Sequence, residues 1–139
     1  KESSAASDVY KRQVLSRADI LVVMLPLTPQ TRGLLDRERL QRLPRGAALI
    51  NVARGALVDQ AALTDLLRSG HLGGATLDVF EREPLPSGDP LWAMGNVLIT
   101  PHLASVAIPA SAAGQVADNV LRVSQGLEPA NRVDPTRGY

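Results

Sequence analysis

Cysteine is absent from the 139 residues, which removes disulfides and thiolate chemistry and is compatible with a reducing cytoplasm. Aromatic residues amount to only 3%, and no basic block or aromatic-basic interleaving suggests nucleic acid. Charge of either sign is equally unremarked: 15 Lys and Arg face 14 Asp and Glu, a net charge of +1. Apolar runs such as Ile20 to Leu25 are far short of a membrane span. The opening Lys1-Glu2-Ser3-Ser4 is polar and does not begin like a signal peptide. No His/Asp/Glu grouping has metal spacing, and no repeat of solenoid period stands out. What remains is 45% hydrophobic and 21% charged, the composition of a soluble globular chain long enough for one core. A cytoplasmic protein without nucleic-acid, membrane or metal partners is expected.

What is present centres on Ala47-Ala48-Leu49-Ile50-Asn51-Val52-Ala53-Arg54-Gly55. An apolar run bounded by turn signals fits a strand buried on both faces, with Arg54 emerging where it stops. Ala75-Thr76-Leu77-Asp78-Val79-Phe80 leads in the same way into Glu81-Arg82-Glu83-Pro84, and Asn96-Val97-Leu98-Ile99-Thr100 into Pro101-His102. Parallel strands share one C-terminal edge, and ligands bind in the crevice beside it. A guanidinium, a carboxylate and an imidazole gathered there would form a catalytic centre.

The remaining pattern supplies helices between strands. Ser3 to Ser7 reads as polar loop and Asp8 to Ala18 as a short helix with Val9, Val14 and Leu15 as its apolar stripe. Ile20 to Leu25 reads as a buried strand, stopped by the rigid turn Pro26-Leu27-Thr28-Pro29. A helix is expected over Leu34 to Leu43. A second follows an Asp59 cap, with Ala62, Leu63, Leu66 and Leu67 inward and Gly70 at its left-handed end. His71, beside Gly70, reads as a surface residue complementing the helix dipole, and Trp92 as packing, with an active-site wall as the alternative. Pro109 to Gln125 reads as a long helix with Val116, Val120 and Val123 on one face, closed by Gly126. This alternation predicts an α/β fold, a parallel sheet with helices on both faces.

Leu25-Pro26-Leu27-Thr28, Asn51-Val52-Ala53-Arg54-Gly55, Leu77-Asp78-Val79-Phe80 with Glu83-Pro84, and Thr100-Pro101-His102 together resemble the D-2-hydroxyacid dehydrogenases. Pro84-Leu85-Pro86, Pro90-Leu91-Trp92 and the ending Val133-Asp134 with Arg137-Gly138-Tyr139 look most like glyoxylate/hydroxypyruvate reductases. The resemblance implies a Rossmann-like fold and NAD(P)H-dependent reduction of a small 2-keto acid to the 2-hydroxy acid. Arg54 would hold the carboxylate and polarise the keto oxygen, a task suited to a planar fork of donors. His102 would protonate that oxygen, and Glu83, chosen over Glu81 because it directly precedes a proline, would orient the imidazole and favour its charged form. Asp78 would lie near the nicotinamide carboxamide. Leu25, Pro26, Val52 and Ala53 would line the cofactor cleft, with Arg54, His102 and Ala104 also beside the cofactor.

The family's glycine-rich phosphate turn is not among these residues, nor is the residue that reads the ribose 2′ position. The chain therefore resembles the second part of a longer enzyme, with NAD and NADP both open. Residues 1–126 would form the C-terminal portion of the nucleotide-binding domain, including the helix near 109–125, and 127–139 a tail returning to the substrate domain. In the order 3-2-1-4-5-6 the Ile20 strand would be the third, separated from a block of three whose inner edge stays unpaired. These residues alone are expected to bind dinucleotide poorly and to turn over nothing. A homodimer is expected of the parent protein. The competing reading is an NAD(H)-sensing binding module of the corepressor kind.

Overall fold

The computed structural model describes residues 4–136. They divide between Ala104 and Ser105 into two compact units.

The first unit is built on a four-stranded parallel sheet: β1 (Ile20–Val23), β2 (Ala48–Asn51), β3 (Gly74–Leu77) and β4 (Val97–Ile99). Chain order is also spatial order, β1-β2-β3-β4. This corrects the expected separation of the Ile20 strand from the other three. Ile20 faces Ala48 and Val23 faces Asn51 in continuous register. The first strand thus takes the place next to the Arg54 strand, and nothing in Ile-Leu-Val-Val distinguishes a third from a fourth strand.

An end strand is also less covered than expected. Ile20 and Val22 are exposed and only Val23 is buried, so burial on both faces fails for β1. The strand stops before Met24 and Leu25, where the approach to Pro26 removes a ladder donor. The two inner strands, β2 and β3, alternate half-buried and buried positions.

Helix α1 spans Ser4–Arg17, so the expected loop over Ser3 to Ser7 is helical from Ser4 onward, and Ser3 lies outside the described residues. Ala5 and Ala6 carry strong helix propensity and extend it backward. Of its predicted stripe only Leu15 is buried; Val9 and Val14 are exposed.

Helix α2 covers just Arg37–Gln41, shorter than the expected Leu34 to Leu43. The Asp36 carboxylate accepts from the Arg39 amide at 2.8 Å and sets the start. Leu35 instead runs extended: its amide donates to the Leu57 carbonyl and its carbonyl accepts from Asp59. Leu35, Leu40 and Leu43 are still all buried.

Helix α3 (Gln60–Arg68) follows the pattern closely. Asp59 accepts from the Ala62 amide at 2.9 Å, Ala62, Leu63, Leu66 and Leu67 point inward, and Gly70 has φ 70°. The core gathers Leu40, Leu49, Leu57, Leu63, Leu72 and Leu91. His71 corrects the surface reading. Its amide donates to Leu66 and its carbonyl accepts from Gly46, which tucks the ring in and leaves Nε2 buried without a partner among the described residues.

The second unit holds α4 (Pro109–Ser124), closed by Gly126 at φ 72°. The Asn119 side chain bonds both the amide and the carbonyl of Ala130, and Arg122 Nε donates to the Glu128 carbonyl at 2.8 Å. The segment after α4 is thereby tied to its last turns. Val116, Val120 and Val123 are exposed. No helix among the described residues is long and apolar enough to cross a membrane.

Candidate active site

Arg54 is presented by a turn that its own strand shapes. Asn51 ends β2 fully buried; its Oδ1 accepts from the Ala53 amide and its Nδ2 donates to the Arg54 carbonyl, each at 3.1 Å. A buried amide with partners on both sides fixes the backbone between them. Gly55 then begins a single 3-10 turn, Gly55–Leu57. A Cβ at Gly55 would fall 1.9 Å from the Phe80 carbonyl carbon, so only glycine lets the Arg54 turn lie against the Phe80–Glu81 backbone. The Arg54 guanidinium is exposed and donates to the Ala53 carbonyl at 2.6 Å.

The segment Gly55 touches is the one that carries Glu83. The Phe80 amide donates to Glu83 Oε1 at 2.9 Å, and Glu83 Oε2 lies 2.8 Å from His102 Nδ1. The hydrogen bond with His102 and the one from Phe80 hold the Glu83 carboxyl below its ordinary range, against partial burial. The charges of His102 and Arg54 act in the same direction. Glu83 and His102 thus pair past the C-terminal ends of β3 and β4. Arg54, past the end of β2, is near enough for its charge to act on Glu83 and does not line the cavity that Glu83 and His102 share.

His102 sits at φ 55°, a left-handed backbone that costs a β-carbon residue about 1–2 kcal/mol. What holds it there is Asp78, 2% exposed at the end of β3. Asp78 Oδ1 accepts from the Thr100 hydroxyl at 2.5 Å and the Leu103 amide at 2.8 Å, and Oδ2 from the Ala104 amide at 2.9 Å. Burial pushes this carboxyl up, but those donors outweigh it and the net shift is downward, with the His102 charge adding to them. The expected place of Asp78, at the sheet edge, is observed; its carboxylate reaches the His102 loop from both sides. The sequence alone gives Thr100 and Asn51 no working role. A polar residue closing an apolar strand is the signal that both share.

A cavity of about 550 Å³ opens beside this cluster, lined among others by Asp78, Glu83, Leu85, Trp92, Pro101 and His102. Trp92 is 53% exposed and forms a wall of it, the alternative to the packing reading. Of the expected cofactor-lining residues, Leu25 and Pro26 follow β1 and are exposed, while Val52 and Ala53 follow β2 and are half-buried. The Pro26 carbonyl accepts from the Thr31 hydroxyl at 2.7 Å, which braces that turn. Ala104 is exposed, with its amide committed to Asp78. A separate apolar cavity of about 390 Å³ lies beside β1 and α1, away from Arg54, Glu83 and His102.

An imidazole paired to a carboxylate, with a guanidinium at hand, can pass a proton to an anion held beside it. Comparison with known proteins gives this arrangement its context. The family model described as D-isomer specific 2-hydroxyacid dehydrogenase, NAD binding domain, matches residues 1–104. A D-isomer specific 2-hydroxyacid dehydrogenase from Xanthobacter autotrophicus Py2, solved in complex with NADPH and MES, is 61% identical with a TM-score of 0.91, over 94% of this chain and 54% of that one. An NADPH-dependent glyoxylate/hydroxypyruvate reductase from Sinorhizobium meliloti, in complex with NADP and sulfate, is 38% identical with a TM-score of 0.89, over 94% and 43%. A probable 2-hydroxyacid dehydrogenase from Rhizobium etli CFN 42, in complex with NADP, HEPES and L(+)-tartaric acid, is 38% identical with a TM-score of 0.84, over the same shares. The chain spans about half the length of these relatives. It belongs to the D-isomer specific 2-hydroxyacid dehydrogenases, as part of their NAD-binding domain.

Proposed function

We propose that a full-length protein carrying these residues reduces a small 2-keto acid, of the glyoxylate or hydroxypyruvate type, to the 2-hydroxy acid. The balance is one keto acid, one NAD(P)H and one proton giving one hydroxy acid and one NAD(P)⁺. The observation that carries the reading is the His102–Glu83 pair at 2.8 Å, close enough to Arg54 for its charge to act on Glu83.

The Arg54 fork would bind the substrate carboxylate and draw density toward the keto oxygen. His102, protonated, would give its Nε2 proton to that oxygen as it becomes an alkoxide. Glu83 at Nδ1 would orient the ring and stabilise the imidazolium before the proton leaves. Asp78 would act on the ring through the loop it holds. When bound, the reduced nicotinamide supplies the hydride to the carbonyl carbon.

The residues present fit the nicotinamide end of that cofactor. Leu25, Pro26, Val52 and Ala53 follow strands of one sheet edge, and Asp78 has a lone pair beyond its three donors there. They do not include a phosphate-binding glycine turn. NAD or NADP, a homodimer and a cytoplasmic location belong to the same proposal, with residues 1–126 in the nucleotide domain and 127–139 in a tail toward the substrate domain. The 139 residues alone would be inactive.

The second reading, an NAD(H)-sensing module without turnover, keeps the same cleft but uses no proton transfer. Nicotinamide absorbance in the full-length protein with glyoxylate, hydroxypyruvate and each reduced cofactor separates them. Oxidation of cofactor that depends on the keto acid is expected. Tight cofactor binding with no oxidation by either acid would favour the sensing module.

A further inference from the structure

We propose that Gln60, the first residue of α3, is a positioning residue: its one side-chain amide closes the loop from Glu81 to Asp89 at both ends and so keeps Glu83 against His102. This rests on the reductase reading above and deepens it. The loop has little else to hold it. From residue 81 to residue 89 Leu85 is the only buried side chain, and Glu83 itself is exposed. A segment with so few buried contacts opens easily unless hydrogen bonds fix its ends.

Both ends meet Gln60. At the start the Glu81 amide donates to Gln60 Oε1 at 3.1 Å, and at the finish Gln60 Nε2 donates to Asp89 Oδ2 at 3.0 Å. The first contact adjoins the Phe80 amide, which donates to Glu83 Oε1, and Glu83 Oε2 meets His102. The second holds a carboxylate that also accepts from the Leu91 amide at 3.0 Å, and Leu91 is buried in the core. A backbone N–H can only donate and a carboxylate only accept, so the side chain between them must do the converse of each. Glutamine does both at once. A glutamate there would set a second carboxylate against Asp89, and an alanine would leave both partners unmet.

The platform under this amide is rigid. Asp59 caps α3, the Gln60 carbonyl accepts from the Thr64 hydroxyl at 2.8 Å, and Leu63, Leu66 and Leu67 fix the helix in the core. Gln60 does not line the cavity of Glu83 and His102; it lines a separate groove of about 370 Å³ with Glu81 and Asp89. It therefore acts on the imidazole only through the loop that carries Glu83.

The test uses the full-length protein with glyoxylate and saturating reduced cofactor, comparing wild type, Gln60→Ala, Gln60→Glu, Asp89→Asn and the last two combined. Gln60→Ala and Gln60→Glu should each lower kcat about tenfold while the keto-acid KM stays within about threefold, because Arg54 is supported elsewhere. Asp89→Asn alone sets amide against amide and should also lower kcat. The combined variant again pairs one donor with one acceptor, in reverse, and should return kcat to within about threefold of wild type. Hydrogen exchange at the Phe80 and Glu81 amides gives a turnover-independent arm, and should quicken about tenfold in Gln60→Ala. An unchanged kcat, a loss confined to KM, or a Gln60→Glu loss that Asp89→Asn fails to restore would overturn the proposal. If Gln60→Glu does not fold, the kcat and KM of Gln60→Ala decide. Absence of all turnover in wild type would instead sink the reductase reading, and unaltered exchange in Gln60→Ala would then overturn the positioning role by itself.

Discussion

The two halves of the candidate site are held in opposite ways. His102 sits in a scaffold: its ring is bonded to Glu83, its backbone is left-handed, and Asp78 accepts from the hydroxyl two residues before it and the amides one and two after it. Arg54 is exposed, and its guanidinium donates to the Ala53 carbonyl next to it in the chain. Its backbone is fixed by Asn51 and Gly55, while its head is not locked by any carboxylate within ion-pair distance among the described residues. In the proposed reaction His102, as proton donor, would be preorganised, and Arg54, as anion anchor, would be left for the substrate to complete. A locked Arg–Glu pair would satisfy the guanidinium and compete with the keto acid.

That contrast can be broken from either side. Removing the donor altogether should have the largest effect: His102→Ala in the full-length protein is expected to lower kcat by about 10²–10⁴-fold, followed by nicotinamide absorbance. Arg54→Lys keeps the charge but not the fork. It should cost the charged hydrogen bonds, about 1.5–3 kcal/mol, read as a fall in kcat/KM dominated by KM. Gly55→Ala attacks the contact between the two halves. Overpacking against the Phe80 carbonyl should lower stability by about 1–3 kcal/mol, measured by urea denaturation.

The smallest effect is a pH dependence. Asp78 and Glu83 both have lowered folded-state values. The stability they contribute is therefore complete above the ordinary carboxylate range and is lost as pH falls through the lowered values. Asp78→Asn or Glu83→Gln should shrink the gap between urea midpoints at about pH 7 and about pH 3. An unchanged gap would mean that neither carboxylate is linked to folding.

Much of this was legible in the residues themselves. Strand ends delivering Arg54, Glu83 and His102 follow from short apolar runs closed by polar residues, and Asp59 and Gly70 mark α3 because caps are local chemistry. Strand order was not legible, because a four-residue apolar run carries no address; the place of Ile20 next to Ala48 is decided by the sheet. Helix α2 lost its first residues for a similar reason. Leu34 to Leu43 reads as helical with Leu35, Leu40 and Leu43 apolar, yet Leu35 forms a bridge to Val58 that a periodicity cannot foresee. The surroundings of His71 and the choice between packing and wall for Trp92 are not legible, because exposure depends on neighbours distant in sequence. The part Asp78 plays, tethering the 100–104 loop, needed a partner 22 to 26 residues away.

The scaffold around the imidazole is tested most directly by Asp78→Asn in the full-length protein, assayed for kcat and KM with glyoxylate under saturating cofactor. An asparagine must turn an NH₂ toward backbone donors that now meet a carboxylate, so the loop loses at least one acceptor. The account predicts that kcat falls at least about tenfold while the keto-acid KM moves by less than about threefold, because the Arg54 turn is supported separately. An unchanged kcat, or a loss confined to KM, would contradict the claim that this buried carboxylate holds His102 in place.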